Sequence, residues 1–90
     1  MGHETDDVFV SELVSIASDA LGIPASEIPI GASFQNGLGV DSLGMMEIVL
    51  AVESRFQVRI PETEIGRFAD GSITDAAAYV RAKRRLREGD

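Results

Sequence analysis

Apolar residues recur with the period of an α-helix near the start of the chain. Four of them, three or four positions apart, lie on one helical face: Phe9, Leu13, Ile16 and Ala20. Thr5 and Asp6 supply N-capping side chains before this face, and Gly22 followed by Pro24 is a typical helix end. The pattern therefore predicts a first helix from Thr5 or Asp6 to Gly22.

A second helix is predicted from Ser42 to Phe56, and it carries two apolar stripes. The first stripe runs along the whole helix, as a core face does, and consists of Met45, Ile48, Val49, Val52 and Phe56. The second stripe consists of Leu43, Met46 and Leu50, with Glu47 beside it. Because so small a domain buries only one stripe completely, the second is a candidate surface for partner proteins. The alternative is a helix that is buried on most of its sides.

The remainder of the chain predicts two further helices and no strand. Residues 62–68 are expected to form a short helix, and residues 69–72 a turn. The last helix is predicted to begin with Thr74 as its N-cap and to reach Arg85. Its expected core residues are Ile73, Ala77 and Val80.

A long connection at residues 23–40 precedes the second helix. Its glycine, proline, serine and asparagine residues favour irregular structure. A loop of this length in a compact domain is usually functional or packed by its own side chains. Five apolar residues are expected to pack it across the helix ends: Ile23, Ile28, Ile30, Phe34 and Leu38.

Ninety residues, of which 44% are hydrophobic, are enough for one small domain with one core. We expect residues 1–90 to form a single domain, ordered over about residues 6–85 and mobile at both tails. No apolar run approaches the ~20 residues that span a bilayer, and the acidic start lacks the apolar stretch of a signal peptide. Cysteine is absent, which excludes disulfides and thiolate metal sites. These features fit a cytoplasmic monomer that holds no metal and does not bind membranes.

The net charge of −7 is distributed unevenly. Residues 1–80 carry a net charge of −10, whereas residues 81–90 carry +3. An acidic body repels phosphate backbones, which argues against nucleic acid as a partner and favours basic protein surfaces. The basic residues near the end are interpreted as the cationic C-terminus of the last helix: Arg81, Lys83, Arg84, Arg85 and Arg87.

The segment Gly39–Leu43 joins a glycine-containing loop to the second helix. Asp41 is a good N-cap, which leaves Ser42 exposed at the first helical position. A serine there is a nucleophile, an attachment point for a prosthetic group, or part of the cap. The single histidine, His3, lies in the terminal segment, so a positioned base for a Ser-His-Asp triad is missing. The residues alone leave attachment and capping open, and capping is the simpler of the two.

The motif around Ser42 belongs to a longer pattern, through which the chain resembles the acyl carrier protein family. The match begins with FQNGLGVDSL at residues 34–43 and continues through MEIVLAVE at residues 46–53 to Phe56 and the Ile60-Pro61 pair. The Asp-Ser-Leu core, the glutamate five residues after the serine, and the spacing from the aromatic residue to Ile-Pro occur together. Each is common alone, but their combination is specific. The resemblance covers about residues 6–84.

The resemblance implies an all-α, four-helix up-down bundle with one short helix and a long first loop. It implies that Ser42, flanked by Asp41 and Leu43, is esterified by 4′-phosphopantetheine, whose thiol holds acyl groups as thioesters. The partner-recognition residues it implies lie on the second helix: Leu43, Met46, Glu47, Leu50 and Glu53. The expected partners are a phosphopantetheinyl transferase and enzymes of the acyltransferase, ketosynthase or acyl-ligase type. The protein itself is expected not to be an enzyme.

Three departures from the family pattern favour a specialised pathway. Gly44 replaces the acid that housekeeping fatty-acid carriers usually have, residues 68–72 form a connection about two residues longer than usual, and the tail is basic. We therefore expect a freestanding carrier of polyketide or specialised lipid assembly. The nearest alternative is a peptidyl or aminoacyl carrier, and an alternative of another class is a helical adaptor in which Ser42 is only a cap residue.

Overall fold

The computed structural model describes the backbone of residues 4–89 and the side chains of residues 8–85. The α-helices in this part of the chain are α1, Glu4–Leu21; α2, Ser42–Phe56; α3, Glu62–Asp70; and α4, Ile73–Gly89. Within these residues, β structure is limited to one isolated antiparallel bridge between Ser33 and Ser72. The predicted all-α class, with one short helix and a long first loop, is confirmed. His3 and the outermost termini, where mobility was expected, lie outside the described residues.

The helix α1 packs on both α2 and α4, and it runs antiparallel to α2, since the start of α1 lies against the end of α2. The ring of Phe9, near the start of α1, lies 5.5 Å from the ring of Phe56, at the end of α2. Glu12 and Arg55 form an ion pair at the same end. At the opposite end, the backbone N–H of Thr74 donates to the carbonyl of Ile30 at 3.2 Å. The first loop therefore packs against the start of α4, at the end of the bundle where α2 begins.

The core forms along the predicted faces of the helices. All five residues of the first stripe of α2 are buried, as are Ile73, Ala77 and Val80 on α4. The loop contributes Phe34, which is fully buried and stacks on Phe68 of α3 with 5.6 Å between the ring centroids. Within residues 4–89, no helix combines the length and the apolar character that crossing a membrane requires.

The predicted N-cap of α4 is wrong, because Ser72 rather than Thr74 caps this helix. The hydroxyl of Ser72 accepts from the N–H of Asp75 at 3.2 Å, and the carboxylate of Asp75 accepts from the N–H of Ser72 at 3.0 Å. This reciprocal pair is a capping box, which satisfies two amides at once. Thr74 instead donates its hydroxyl to the carbonyl of Ile30 at 3.3 Å.

Three other expectations require correction. The turn predicted at residues 69–72 begins later, since α3 continues through Asp70. The last helix extends past Arg85 to Gly89. Ile30 is 44% exposed, because the loop uses its carbonyl rather than its side chain to hold the start of α4. Gly22 has the left-handed backbone expected at the end of α1, with φ of 71°.

Candidate functional site

Asp41 caps α2, as the sequence predicts. Its backbone is extended, and its Oδ1 atom accepts a hydrogen bond from the N–H of Gly44 at 2.8 Å. Its carbonyl oxygen accepts from the N–H of Met45 at 2.8 Å, which is the first α-helical hydrogen bond of α2. The amides of Ser42 and Leu43 precede this bond, so neither has an acceptor within the helix.

Ser42 is exposed at the first position of α2, in surroundings that suit a phosphate ester. Its hydroxyl makes no hydrogen bond to the described residues. The free amides at this end and the helix dipole both favour a negatively charged group. Asp41 contributes one negative charge nearby, but its Oδ1 is directed at the amide of Gly44. Among the described residues, no three His, Cys, Asp or Glu side chains are grouped closely enough to share a metal ion.

The second apolar stripe of α2 is exposed, which excludes the alternative of a helix buried on most sides. Leu43 is 70% exposed, Met46 44% and Leu50 60%, and Glu47 on the same face is also exposed. Met45, the immediate neighbour of Met46, is only 3% exposed. The face beside Ser42 therefore combines three apolar side chains with a carboxylate.

Glu53 differs from the other predicted partner-contact residues, because it also holds the connection between α2 and α3. Its side chain is half-buried, and its Oε2 atom accepts a hydrogen bond from the backbone N–H of Ile60 at 2.8 Å. A contact between residues seven apart across a loop leaves no periodic pattern in the sequence. Sequence reasoning therefore missed this structural role.

Gly44 allows the loop to pack closely on the first turn of α2. A Cβ atom built on Gly44 would lie 3.0 Å from Cγ1 of Val40 and 3.2 Å from Oδ1 of Asp41. Val40 is buried, with 4% of its surface exposed, so it has little room to move away. The sequence marks Gly44 only as a poor helix former, whereas the structure shows that the glycine lies against both the buried loop and the cap.

A polar cluster ties α3 to α4. The hydroxyl of Tyr79 donates to Glu64, and the ammonium of Lys83 lies 3.4 Å from the same carboxylate. The hydrogen bond from Tyr79 lowers the pKa of Glu64, with a smaller contribution from Lys83. Burial, followed by the hydrogen bond to Glu64, raises the pKa of Tyr79. The cluster is therefore polar, partly buried and held by both helices.

A groove of about 320 Å³ lies between α3 and α4. Its walls combine aromatic and small apolar side chains with one cation and two carboxylates. The lining residues are Arg67, Phe68, Asp70, Gly71, Asp75, Ala76 and Tyr79. The longer segment noted at residues 68–72 thus begins within α3 and ends at the cap of α4, and it contributes Phe68, Asp70 and Gly71 to this groove.

Comparison with known proteins identifies the family. Residues 11–80 match the family described as the phosphopantetheine attachment site. The chain is 40% identical to the acyl carrier protein of Acidothermus cellulolyticus over 68 residues, which are 76% of this chain and 79% of the relative. It is 37% identical to that of Clostridium acetobutylicum over 67 residues, 74% of this chain and 84% of the relative. It is 31% identical to the acyl carrier protein of Prochlorococcus marinus over 80 residues, which are 89% of this chain and 98% of the relative. The chain therefore belongs to the acyl carrier protein family, whose members carry covalently attached 4′-phosphopantetheine.

Proposed function

We propose that Ser42 is the residue to which 4′-phosphopantetheine is esterified, and that the chain carries acyl intermediates on this group. The observation that supports the assignment is the exposed hydroxyl of Ser42 at the capped start of α2. It lies within the Asp-Ser-Leu motif, inside the segment that matches the attachment-site family. The attached group supplies a thiol, which holds the acyl cargo as a thioester.

The chain's own residues hold the attachment point and make it accessible. Asp41 fixes the first turn of α2, so Ser42 occupies a defined position although its side chain is free. The amides of Ser42 and Leu43 and the dipole of α2 favour the charge of a phosphodiester. This role requires no general base in the chain, because the transferase and the acyl-handling enzymes supply the catalysis. We therefore propose a carrier that is not itself an enzyme.

The exposed face of α2 is the proposed docking surface for these enzymes. Leu43, Met46 and Leu50 offer apolar contacts beside the attachment point, and Glu47 offers a negative charge. Basic partner surfaces suit this face and the acidic body of the chain. Glu53 adds its charge next to the face, although one carboxylate oxygen already binds Ile60.

We assign the carrier to polyketide or specialised lipid assembly on the basis of Gly44. Gly44 places no acidic side chain near the phosphodiester, and a Cβ atom added there would lie 3.0 Å from Cγ1 of Val40, which would have to shift slightly to admit one. Turnover by housekeeping fatty-acid elongation enzymes is expected to be weak. The substitution Gly44→Asp is expected to raise it by a few-fold, since one exposed charge contact contributes no more than ~1 kcal/mol. If the unaltered chain supports elongation as well as a housekeeping carrier does, the pathway assignment is wrong.

The experiment that tests the attachment is intact mass measurement after incubation with coenzyme A and a broad-specificity phosphopantetheinyl transferase. One adduct is expected, and peptide mapping should locate it at Ser42. Ser42→Ala should remain folded and unmodified, since Asp41 retains the cap. Ser54→Ala is the matched control, because Ser54 is exposed on the same helix. An adduct at another residue contradicts the assignment to Ser42, and no adduct with several transferases contradicts the carrier function and favours the helical adaptor.

A second measurement separates the acyl carrier from a peptidyl or aminoacyl carrier. The modified chain is offered to adenylating enzymes with amino acids, and to acyl-ligase enzymes with carboxylic acids. Acyl loading without aminoacyl loading is the expected result. The reverse result assigns the chain to non-ribosomal peptide assembly. The cytoplasmic location and monomeric state expected from the sequence remain predictions.

A further inference from the structure

The loop before α2 contains a backbone approach so close that only glycine fits. A Cβ atom at Gly37 would lie 2.6 Å from the Cβ atom of Ala32 and 2.9 Å from the backbone nitrogen of Ser33. Both distances are far below the ~3.5–4.0 Å of normal carbon contacts. Because the nearest atoms belong to or adjoin the backbone, a rotamer change cannot relieve the clash.

This close approach gives Ser33 three hydrogen bonds within the turn. Its carbonyl oxygen accepts from the N–H groups of Gly37 at 2.8 Å and Leu38 at 2.7 Å. Its hydroxyl accepts from the N–H of Asn36 at 3.2 Å. The same hydroxyl lies 3.4 Å from the carbonyl oxygen of Ala69, to which it donates. The turn at residues 33–38 is therefore closed on itself and attached to the end of α3.

Phe34 connects this turn with the start of α2. Its N–H donates to the carbonyl of Gly71 at 3.0 Å, and its carbonyl accepts from the N–H of Val40 at 2.9 Å. Its buried ring stacks on Phe68. Val40 is itself buried and immediately precedes Asp41. A continuous series of contacts thus runs from the α3–α4 connection through Phe34 and Val40 to the cap of α2.

We propose that Gly37, through the turn that it permits, is a positioning residue for Ser42. The turn holds Val40 and Asp41 so that the Asp41 carboxylate reaches the amide of Gly44 and Ser42 stays exposed at the helix start. Gly37 acts through the backbone and not by contact with the reacting hydroxyl. The functional consequence rests on the proposed attachment at Ser42, and the proposal adds a residue five positions upstream to that site.

The test compares Gly37→Ala with Gly31→Ala. Gly31 belongs to the same loop, but a Cβ atom there meets nothing within 4 Å. Hydrogen exchange of the Gly44 amide in the unmodified chain reports on the cap and does not depend on attachment. The rates of transfer from coenzyme A by a phosphopantetheinyl transferase, separated into kcat and KM, report on Ser42.

In Gly37→Ala, exchange of the Gly44 amide is expected to accelerate by about fivefold, as loss of an N-cap does. The kcat of transfer is expected to fall by about tenfold or more, because a misplaced reacting group loses its productive orientation. KM should change little, since the docking face of α2 is intact. Gly31→Ala should match the wild type in both measurements. A folded Gly37→Ala variant that lowers only the melting temperature, with wild-type exchange and kcat, overturns the proposal.

The double variant Ala32→Gly/Gly37→Ala tests the cause, because it removes the shortest of the contacts. Partial rather than full recovery of both exchange and kcat is expected, because the close contact with the Ser33 backbone at 2.9 Å remains. A double variant that is worse than Gly37→Ala in both measurements overturns the proposal. If Gly37→Ala does not fold, Ser33→Ala replaces it, since it keeps the backbone bonds and loses those of the hydroxyl. In Ser33→Ala, a smaller acceleration of Gly44 amide exchange and a smaller fall in kcat are then expected. Wild-type values of both quantities overturn the proposal. Failure of the wild type to be modified contradicts the proposed function alone, because exchange at Gly44 still tests the turn.

Discussion

The carboxylate of Glu53 accepts a hydrogen bond from the backbone N–H of Ile60 at 2.8 Å. This bond spans the connection between α2 and α3 and satisfies an amide next to a buried side chain, since Ile60 is only 4% exposed. A glutamate on the helix that we propose as the docking surface is thus also part of the domain's internal structure. Its charge and its hydrogen bond are separable by substitution.

Glu53→Ala is expected to destabilise the domain by ~1–3 kcal/mol, because it leaves the Ile60 amide without its acceptor. Glu53→Gln should cost less, since the amide oxygen of glutamine still accepts. Glu47→Ala is the control, as it removes the same charge from an exposed position of the same helix. Chemical denaturation of the three variants measures the effect. Equal stability of Glu53→Ala and Glu47→Ala would show that the bond contributes nothing.

Met45 and Met46 are adjacent methionines that are expected to respond oppositely to truncation. Met45→Ala should cost ~2–5 kcal/mol of stability, because Met45 is buried in the core. Met46→Ala should change stability by less than ~0.5 kcal/mol, because Met46 is 44% exposed. Met46→Ala should instead slow loading by partner enzymes. Unfolding by Met46→Ala, together with a neutral Met45→Ala, would reverse the assignment of the two faces.

Glu47→Lys is expected to slow loading and transfer without changing the melting temperature. The substitution reverses a charge on the exposed face, where each contact with a basic partner contributes ~1 kcal/mol or less. Raising the salt concentration should slow the wild-type reaction and have less effect on the variant, because screening acts over ~8–10 Å. Reaction rates measured at several salt concentrations check both statements. A variant as fast as the wild type at low salt would remove Glu47 from the docking surface.

Gly44→Ala is expected not to stabilise α2, although alanine favours helix by up to ~1 kcal/mol over glycine. The new Cβ atom would lie 3.0 Å from a buried atom of Val40, and overpacking of this kind costs ~1–3 kcal/mol. Gly66→Ala is the matched control, since Gly66 lies within α3 and a Cβ atom there meets nothing within 4 Å. Thermal unfolding should show a higher melting temperature for Gly66→Ala only. A clear rise in the melting temperature of Gly44→Ala would mean that the side chain of Val40 moves aside at little energetic cost.

The burial of Tyr79 and its hydrogen bond to Glu64 predict a loss of stability at both ends of the pH range. The folded state lowers the pKa of Glu64 from 4.5, so the unfolded chain binds more protons there and stability falls as the pH drops below that value. The folded state raises the pKa of Tyr79 from 10.0, so the unfolded chain loses this proton first and stability falls as the pH rises above 10.0.

Melting temperatures measured across this pH range in the wild type and in Tyr79→Phe check the prediction. Removing the hydroxyl should flatten the decline in stability at alkaline pH. It should reduce the decline at acidic pH without abolishing it, because Lys83 still contacts Glu64 at 3.4 Å. Identical pH profiles for the two proteins would show that the contact is not coupled to folding.

The sequence by itself determined the helices, the core stripe of α2 and the cap at Asp41. These follow from local rules: the 3.6-residue period selects the buried face, and capping involves residues three apart. The bounds Ser42–Phe56 were predicted correctly for this reason. Local rules also placed Ser42 at an exposed helix start, and the motif around it indicated the family.

The tertiary structure alone decided which competing local signals prevailed. Ser72 and Thr74 are both good N-caps, and Ser72 was selected because the carbonyl of Ile30, distant in sequence, binds Thr74. The bond from Glu53 to Ile60 likewise depends on how a loop folds back on its helix. Gly37 is one of several loop glycines in the sequence, and only the approach of Ala32 in space shows why it must be glycine. Contacts between separated segments carry no sequence period, so they become visible only when the chain is folded.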